Sequence, residues 1–204
     1  MTMWWIPSVR LFINSAGIDY GEVCLDGNIH FTGTQGVGKS TLLRAILFFY
    51  NADKAHLGIR PQGQKPFDEF YLPKLDSYII YEVTTAPDRV YSVILFRNQG
   101  KAAFRFVDSP FCKEWIVDSN GEVADDQLSV RSNITKTGAE FSPIIDRYEK
   151  YRDIIYGNRH ADLKAEMLKY RIMESLQCNI PKIITNVFLN ERVDADFIKD
   201  TMIR

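Results

Sequence analysis

Gly33, Thr34, Gln35, Gly36, Val37, Gly38, Lys39 and Ser40 satisfy the pattern G-x-x-x-x-G-K-[ST] at every fixed position. These residue types suit a phosphate. Glycines let successive backbone N–H groups turn inward around an anion, and a helix that starts at the end of the loop adds a partial positive charge. The spacing predicts that Lys39 reaches the β- and γ-phosphates of a nucleotide and that the Ser40 hydroxyl binds Mg²⁺. Thr41 is placed to hydrogen-bond the α-phosphate. ATP and Mg²⁺ are the expected ligands. Four fixed positions are a short pattern, so context decides: a β-rich run precedes the loop and an apolar-faced helix follows it.

The other chemistry-bearing residues form no comparable constellation. His30, His56 and His160 are scattered, and His30, on an apolar strand, reads as a core residue. Asp196 and Asp200 stand four apart on a helix and read as a solvated face. Tyr148, Tyr151, Tyr156 and Tyr170 read as core rather than as a base-stacking platform. Cys24, Cys112 and Cys178 are odd in number and show no CxxC spacing, which points to reduced thiols and a cytoplasmic protein. Asn133-Ile134-Thr135 fits a glycosylation acceptor, a coincidence in a chain whose first seven residues lack the features of an export signal. Trp4 and Trp5 read as edge-strand or core packing, not as a membrane anchor. No apolar run approaches the ~18 residues needed to cross a bilayer.

Composition sets wider bounds. The 204 residues are 46% hydrophobic and 25% charged, which excludes a disordered or collagen-like chain and supports one well-buried core. Lys plus Arg number 25 against 26 Asp plus Glu, a net charge of −1, so a strongly basic nucleic-acid binder is not indicated, although a local basic patch is compatible.

The elements that must position the loop follow from periodicity. Val9, Leu11 and Ile13 alternate as a strand, residues 20–25 form a second, and 28–32 a short third that leads into the loop. From Lys39 to about Tyr50 the pattern is helical, with Leu42/Ile46 and Leu43/Leu47 repeating. Residues 52–76 carry Gly58, Pro61, Gly63, Pro66 and Pro73 without a period and read as an ordered functional loop, with a mobile insertion as the alternative. Residues 77–109 read as a β-meander (78–84, 90–96, 102–107), with turns at Pro87-Asp88 and at Asn98-Gln99-Gly100. A hairpin is expected around Ser119-Asn120-Gly121. One helix is expected from a Ser142 cap and Pro143 to Gly157, and another over 162–177 with Leu163, Met167, Tyr170 and Met173 as its stripe. Pro181 precedes a buried strand at 183–189, and Asp194 caps a last helix to Arg204.

A phosphate loop alone does not hydrolyse ATP. A second strand must end in an acid that orients Mg²⁺, and no run of four apolar residues followed by Asp-Glu is present. Phe141 to Asp146 is too short and contains Pro143. Val187-Phe188-Leu189-Asn190-Glu191 comes nearest, with Asn190 where Asp is expected and Glu191 as a weak catalytic candidate. A Ser-Gly-Gly signature is also missing. The sequence reads as half of an ATPase.

The stretch FTGTQGVGKSTLLRAILFFYNADKAHLGIR, set between a β-hairpin and a β-meander, resembles the N-terminal head segment of SMC-like ATPases, the ABC-type heads of the SMC, MukB and RecF group. The resemblance implies an α/β P-loop NTPase fold, with a mixed sheet around the loop helix, a β-meander and a helical subdomain. It implies a single head N-lobe over 1–204, with a nucleotide-binding part (1–130) and a helical part (131–204) leading to a coiled coil. It implies that the chain is truncated and that its missing acid and signature lie in a C-terminal lobe of the same protein. Two heads, as a homodimer, would then sandwich ATP and act on DNA in repair, chromosome organisation or defence. It also places Asn190 and Glu191 at a Q-loop facing Mg²⁺, and Arg60 near nucleotide or DNA. Two departures stand out: Gln35 replaces the family's usual Asn, and Asn190-Glu191 replaces the usual Gln. The rival readings are a self-contained P-loop NTPase or kinase, with Asp146 or Glu191 as its acid, and a non-hydrolysing, nucleotide-gated interaction module.

Overall fold

The computed structural model describes residues 9–25, 29–50, 65–86, 89–158 and 163–172. Strands β1 (Val9–Ser15) and β2 (Ile18–Cys24) form a hairpin closed by Ala16 and Gly17, whose φ angles are 51° and 82°. Two left-handed residues make the primed turn whose twist matches the flanking strands. Glycine adopts it freely, whereas Ala16 is strained there. Strands β3 (Tyr78–Ala86), β4 (Arg89–Asn98) and β5 (Lys101–Val107) form the meander read from the sequence, with Gln99 and Gly100 turning between the last two.

The sheet order is β2-β1-β3-β4-β5, and every pairing is antiparallel. The expected mixed sheet is therefore corrected among the described residues. Two-residue turns join β1 to β2 and β4 to β5, and such turns permit only antiparallel pairing. The expected strand at 28–32 is also corrected: residues 29–32 pair with no described strand. His30 accordingly is exposed rather than a core residue.

Strand alternation sorts the apolar residues onto two covered faces. Register aligns Phe12, Ile79, Leu95 and Phe104 in one cross-strand row, and Ile13, Tyr78, Phe96 and Ala103 in the row behind it. The first row belongs to one buried cluster and the second to another. An antiparallel sheet often leaves one face wet. Here α1 (Lys39–Leu47), α2 (Phe67–Phe70) and α4 (Tyr148–Tyr156) supply residues to the first cluster, and α3 (Gln127–Lys136) supplies Val130 and Ile134 to the second. No helix among the described residues is long and apolar enough to cross a membrane.

The end of α1 is fixed by tyrosines. Phe49 N–H bonds to Ile46 rather than to Ala45, and the Ala45 carbonyl instead accepts from Tyr81 Oη at 3.0 Å. The Phe49 and Tyr50 carbonyls, just past the helix end, accept from Tyr151 Oη at 2.6 Å and Tyr156 Oη at 2.7 Å. Tyr151, Tyr156 and Tyr170 are buried and Tyr148 packs against them, so this group is core, as its spacing suggested.

Several boundaries differ from the sequence reading. Within the segment read as an ordered loop, residues 65–72 are indeed ordered and add the short helix α2: Phe67, Tyr71 and Leu72 are buried, and Phe67 stacks on Phe48 at 3.7 Å. Ser142 and Pro143 do not open a helix. Phe141 and Ile145 bridge to Val107 and Phe104, holding the segment along β5, and α4 begins only after Arg147. Gly157 does close that helix, with φ 58°. The helix expected over 162–177 is a 3-10 helix, Ala165–Tyr170, within the described residues. Its Met167 and Tyr170, three apart and eclipsed, both face the core. Lys169 clips it to the sheet through Asp108 at 2.6 Å and Glu140 at 2.9 Å.

Candidate functional site

The loop and its helix take the form that the residue types require. Gly33, Gly36 and Gly38 have φ angles of 149°, 88° and 88°, all in the region that favours glycine. At Gly33 a Cβ would also meet Val37 Cγ2 at 2.9 Å. Gly38 is the N-cap of α1, and its carbonyl accepts the first helical bond from Leu42 N–H at 2.9 Å. Lys39 and Ser40 thus occupy the first turn. Thr34, Gln35, Val37 and Ser40 are exposed.

Lys39 curls back over the loop. Its Nζ donates to the Gly33 carbonyl at 2.5 Å and to the Thr34 carbonyl at 2.7 Å. Both acceptors are neutral. Phosphate oxygens in the same mouth would offer charge-assisted bonds, which are shorter and roughly twice as strong as neutral ones.

The loop lines a cleft of about 770 Å³, within the ~300–1,000 Å³ range usual for small-molecule sites. Gly36 to Lys39, Thr41 and Leu42 form one wall. The hairpin turn at Ala16-Gly17-Ile18, residues 30–32, and Phe70 with Tyr71 form the others.

Tyr71 holds these walls together. Its phenol donates to the Thr41 carbonyl at 2.9 Å, and its own carbonyl accepts from the buried Ser15 hydroxyl at 2.7 Å. A second set of bonds fastens the hairpin to the same connection. Ser77 Oγ donates to the Asn14 carbonyl at 2.7 Å, and Asn14 Nδ2 donates to Asp76 Oδ2 at 2.9 Å. Burial pushes the Tyr71 phenol up to about 12, with nearby Arg44 pulling the other way, so it remains a donor at neutral pH.

Of the expected site residues, Gly36, Val37, Gly38, Lys39 and Thr41 line the cleft together, whereas Gly33, Thr34, Gln35 and Ser40 are not among its lining residues. Arg60, Asn190 and Glu191 lie outside the described residues, as do His56, His160, Cys178 and the elements expected beyond residue 172. Asp146 is exposed and is not part of the cleft wall. Sequence reading missed Tyr71, Phe70 and the hairpin turn. Their part in the cleft arises from contacts between segments some thirty to sixty residues apart, which no local period signals. The Tyr71–Phe67 spacing of four was the available hint that residues 65–72 fold back on the core.

A family model described as "Protein of unknown function (DUF3584)" matches residues 16–203, and the chain belongs to that family. No curated protein and no solved structure matches the chain significantly.

Proposed function

We propose that this DUF3584 chain binds ATP with Mg²⁺ at residues 33–41, as the N-terminal lobe of an SMC-like ATPase head with a P-loop NTPase fold. The observation that carries the reading is the loop itself. Three glycines in left-handed conformations wrap its turn, a helix N-terminus closes it, and Lys39 stands over its mouth on exchangeable neutral acceptors. A glycine-rich turn without a ligand gives no reason to place an ammonium there.

The residues fit a magnesium ion shared with nucleotide. Ser40 presents a hard oxygen in the first turn of α1. Mg²⁺ is commonly held by one or two protein oxygens, several waters and substrate phosphates rather than by a protein cage. When bound, the ion would neutralise charge on the phosphates. The chain's own part is to wrap the phosphates with the N–H groups of 34–40, to neutralise them with Lys39, and to hold Thr41 near the α-phosphate.

Hydrolysis needs an acid and a signature motif that the sequence does not supply next to this loop. We assign them to a C-terminal lobe and a second head, in keeping with the SMC-like resemblance, with DNA as the partner of the complete protein. The reading is tested by titrating the chain with ATP and Mg²⁺, by calorimetry or with a fluorescent ATP analogue. Saturable binding by the wild type and none by Lys39→Ala is the expected result. Equal affinity in both would overturn it.

A further inference from the structure

The cleft is larger than a phosphate tail requires, and its far wall carries an unusual residue. Phe70 closes α2 and is 40% exposed, whereas Phe67 and Tyr71 beside it are buried. Single exposed apolar side chains are common and need no explanation by themselves. Phe70 differs in where it stands and in what holds it. It lines the same cleft as Gly36, Gly38 and Lys39. Its ring meets Tyr71 edge-on, with centroids 4.9 Å apart and planes at 78°. Tyr71 stacks on Phe67 at 4.5 Å, and Phe67 on Phe48 at 3.7 Å. Tyr71 is further pinned by its bonds to Thr41 and Ser15. Phe70 is therefore an exposed π-surface mounted on a fixed aromatic column and tied, through Tyr71, to the helix that begins at the phosphate loop.

We propose that Phe70 is the base platform of this site, on which the purine ring of the bound nucleotide stacks. The inference rests on the nucleotide-binding reading of residues 33–41 and extends it from the phosphates to the base. A phosphate tail held by the loop leaves the nucleoside to fill the rest of the cleft. Ile18 and Leu42 add apolar surface to the same cleft. A purine offers the larger face for such a contact, and stacking tolerates different bases because every base has a π-face.

The test compares ATP with inorganic tripolyphosphate, each with Mg²⁺, on the full chain. Phe70→Leu keeps apolar volume and removes the aromatic face; Phe70→Trp keeps the face. Phe70→Leu should lose roughly ten- to a hundred-fold in ATP affinity and bind tripolyphosphate like the wild type. Phe70→Trp should retain ATP affinity and show a fluorescence change, absent from the wild type, with ATP but not with tripolyphosphate. Unchanged ATP affinity in Phe70→Leu would overturn the platform, as would an equal loss of both ligands at unchanged thermal stability. Failure of the wild type to bind either ligand would instead remove the phosphate-loop reading, and the platform with it.

Discussion

The Tyr71 hydroxyl donates to the Thr41 carbonyl at 2.9 Å, joining the connection before β3 to the first turn of α1. Because the Tyr71 carbonyl also accepts from Ser15, one residue bridges the hairpin and the first turn of α1. Tyr71→Phe keeps the stack on Phe67 and deletes only the phenol bond. We expect a loss of about 1 kcal/mol, the usual net worth of one hydrogen bond, read as a lower denaturant midpoint at unchanged slope. Nucleotide affinity should fall as well, since the loop helix loses its tie. An unaltered midpoint would show that the bond contributes nothing.

Alkaline pH should loosen the same region. Burial pushes the Tyr71 phenol up to about 12, opposed by Arg44, and burial likewise pushes Tyr170 up to about 12, opposed by Lys169. A phenol whose folded pKa is raised keeps its proton longer in the folded state than in the unfolded one. Its contribution is therefore complete below the ordinary value of 10 and is lost as pH rises from 10 towards 12. Burial alone would lower Lys169, but its bonds to Asp108 and Glu140 outweigh that and raise it, so its contribution is lost in the alkaline direction too. Stability measured by denaturant should fall with pH above about 10, and less steeply in a Tyr71→Phe, Tyr170→Phe double variant. An equally steep fall in that variant would refute the assignment.

Lys39→Ala should abolish ATP binding and leave the fold in place. The ammonium bonds two exposed carbonyls of its own loop and fills no core position. A thermal or chemical stability within about 0.5 kcal/mol of the wild type is expected, as for surface substitutions away from special features. A collapse of the fold would mean that the lysine is a structural clamp of the loop.

How much was legible depended on whether the decisive contacts were local. The meander and the hairpin were readable because Phe12, Ile79, Leu95 and Phe104 alternate with residues of the opposite face along each strand. The glycine-rich turn at 33–38 and the helix start at Lys39 were readable because the glycines, lysine and serine are contiguous. Helix α3 was missed: its buried side rests on Val130 and Ile134 alone, too few to make a stripe, although Asp126 caps it by accepting from Leu128 and Ser129. Ser142-Pro143 imitated a helix start because those residue types favour one. Ser142 Oγ instead accepts from Phe106 N–H, and Ile145 pairs with Phe104, and both bonds depend on a strand about forty residues away. The residue types at 28–32 read as a strand, but they do not supply a neighbouring strand, and residues 29–32 pair with none that is described.

The hairpin turn offers a stabilising change. Ala16 sits at φ 51°, where its Cβ crowds the backbone, and it precedes Gly17 at φ 82°. Asn is preferred at the first position of this turn because its short polar side chain tolerates the left-handed region. Ala16→Asn should raise stability by roughly 0.5–1 kcal/mol, seen as a higher midpoint with an unchanged slope. A lower midpoint would show that the packing of Ala16 against the core outweighs its backbone strain.

The 204-residue chain should bind nucleotide without turning it over. A phosphate loop positions and neutralises phosphates, whereas cleavage also needs a group that orients the attacking water. No apolar run ending in Asp-Glu occurs in the sequence, and Asp146 lies outside the cleft wall that carries Lys39. Phosphate release measured at saturating ATP and Mg²⁺ should remain far below the ~1–10³ per second of ordinary enzymes. A second measurement separates the alternatives. Lys39-dependent turnover at an ordinary rate would place a working acid within this chain and favour a self-contained NTPase, with Glu191 or Asp146 the residues to substitute first. Binding without turnover, with activity appearing when a C-terminal lobe is supplied, is what a divided head requires.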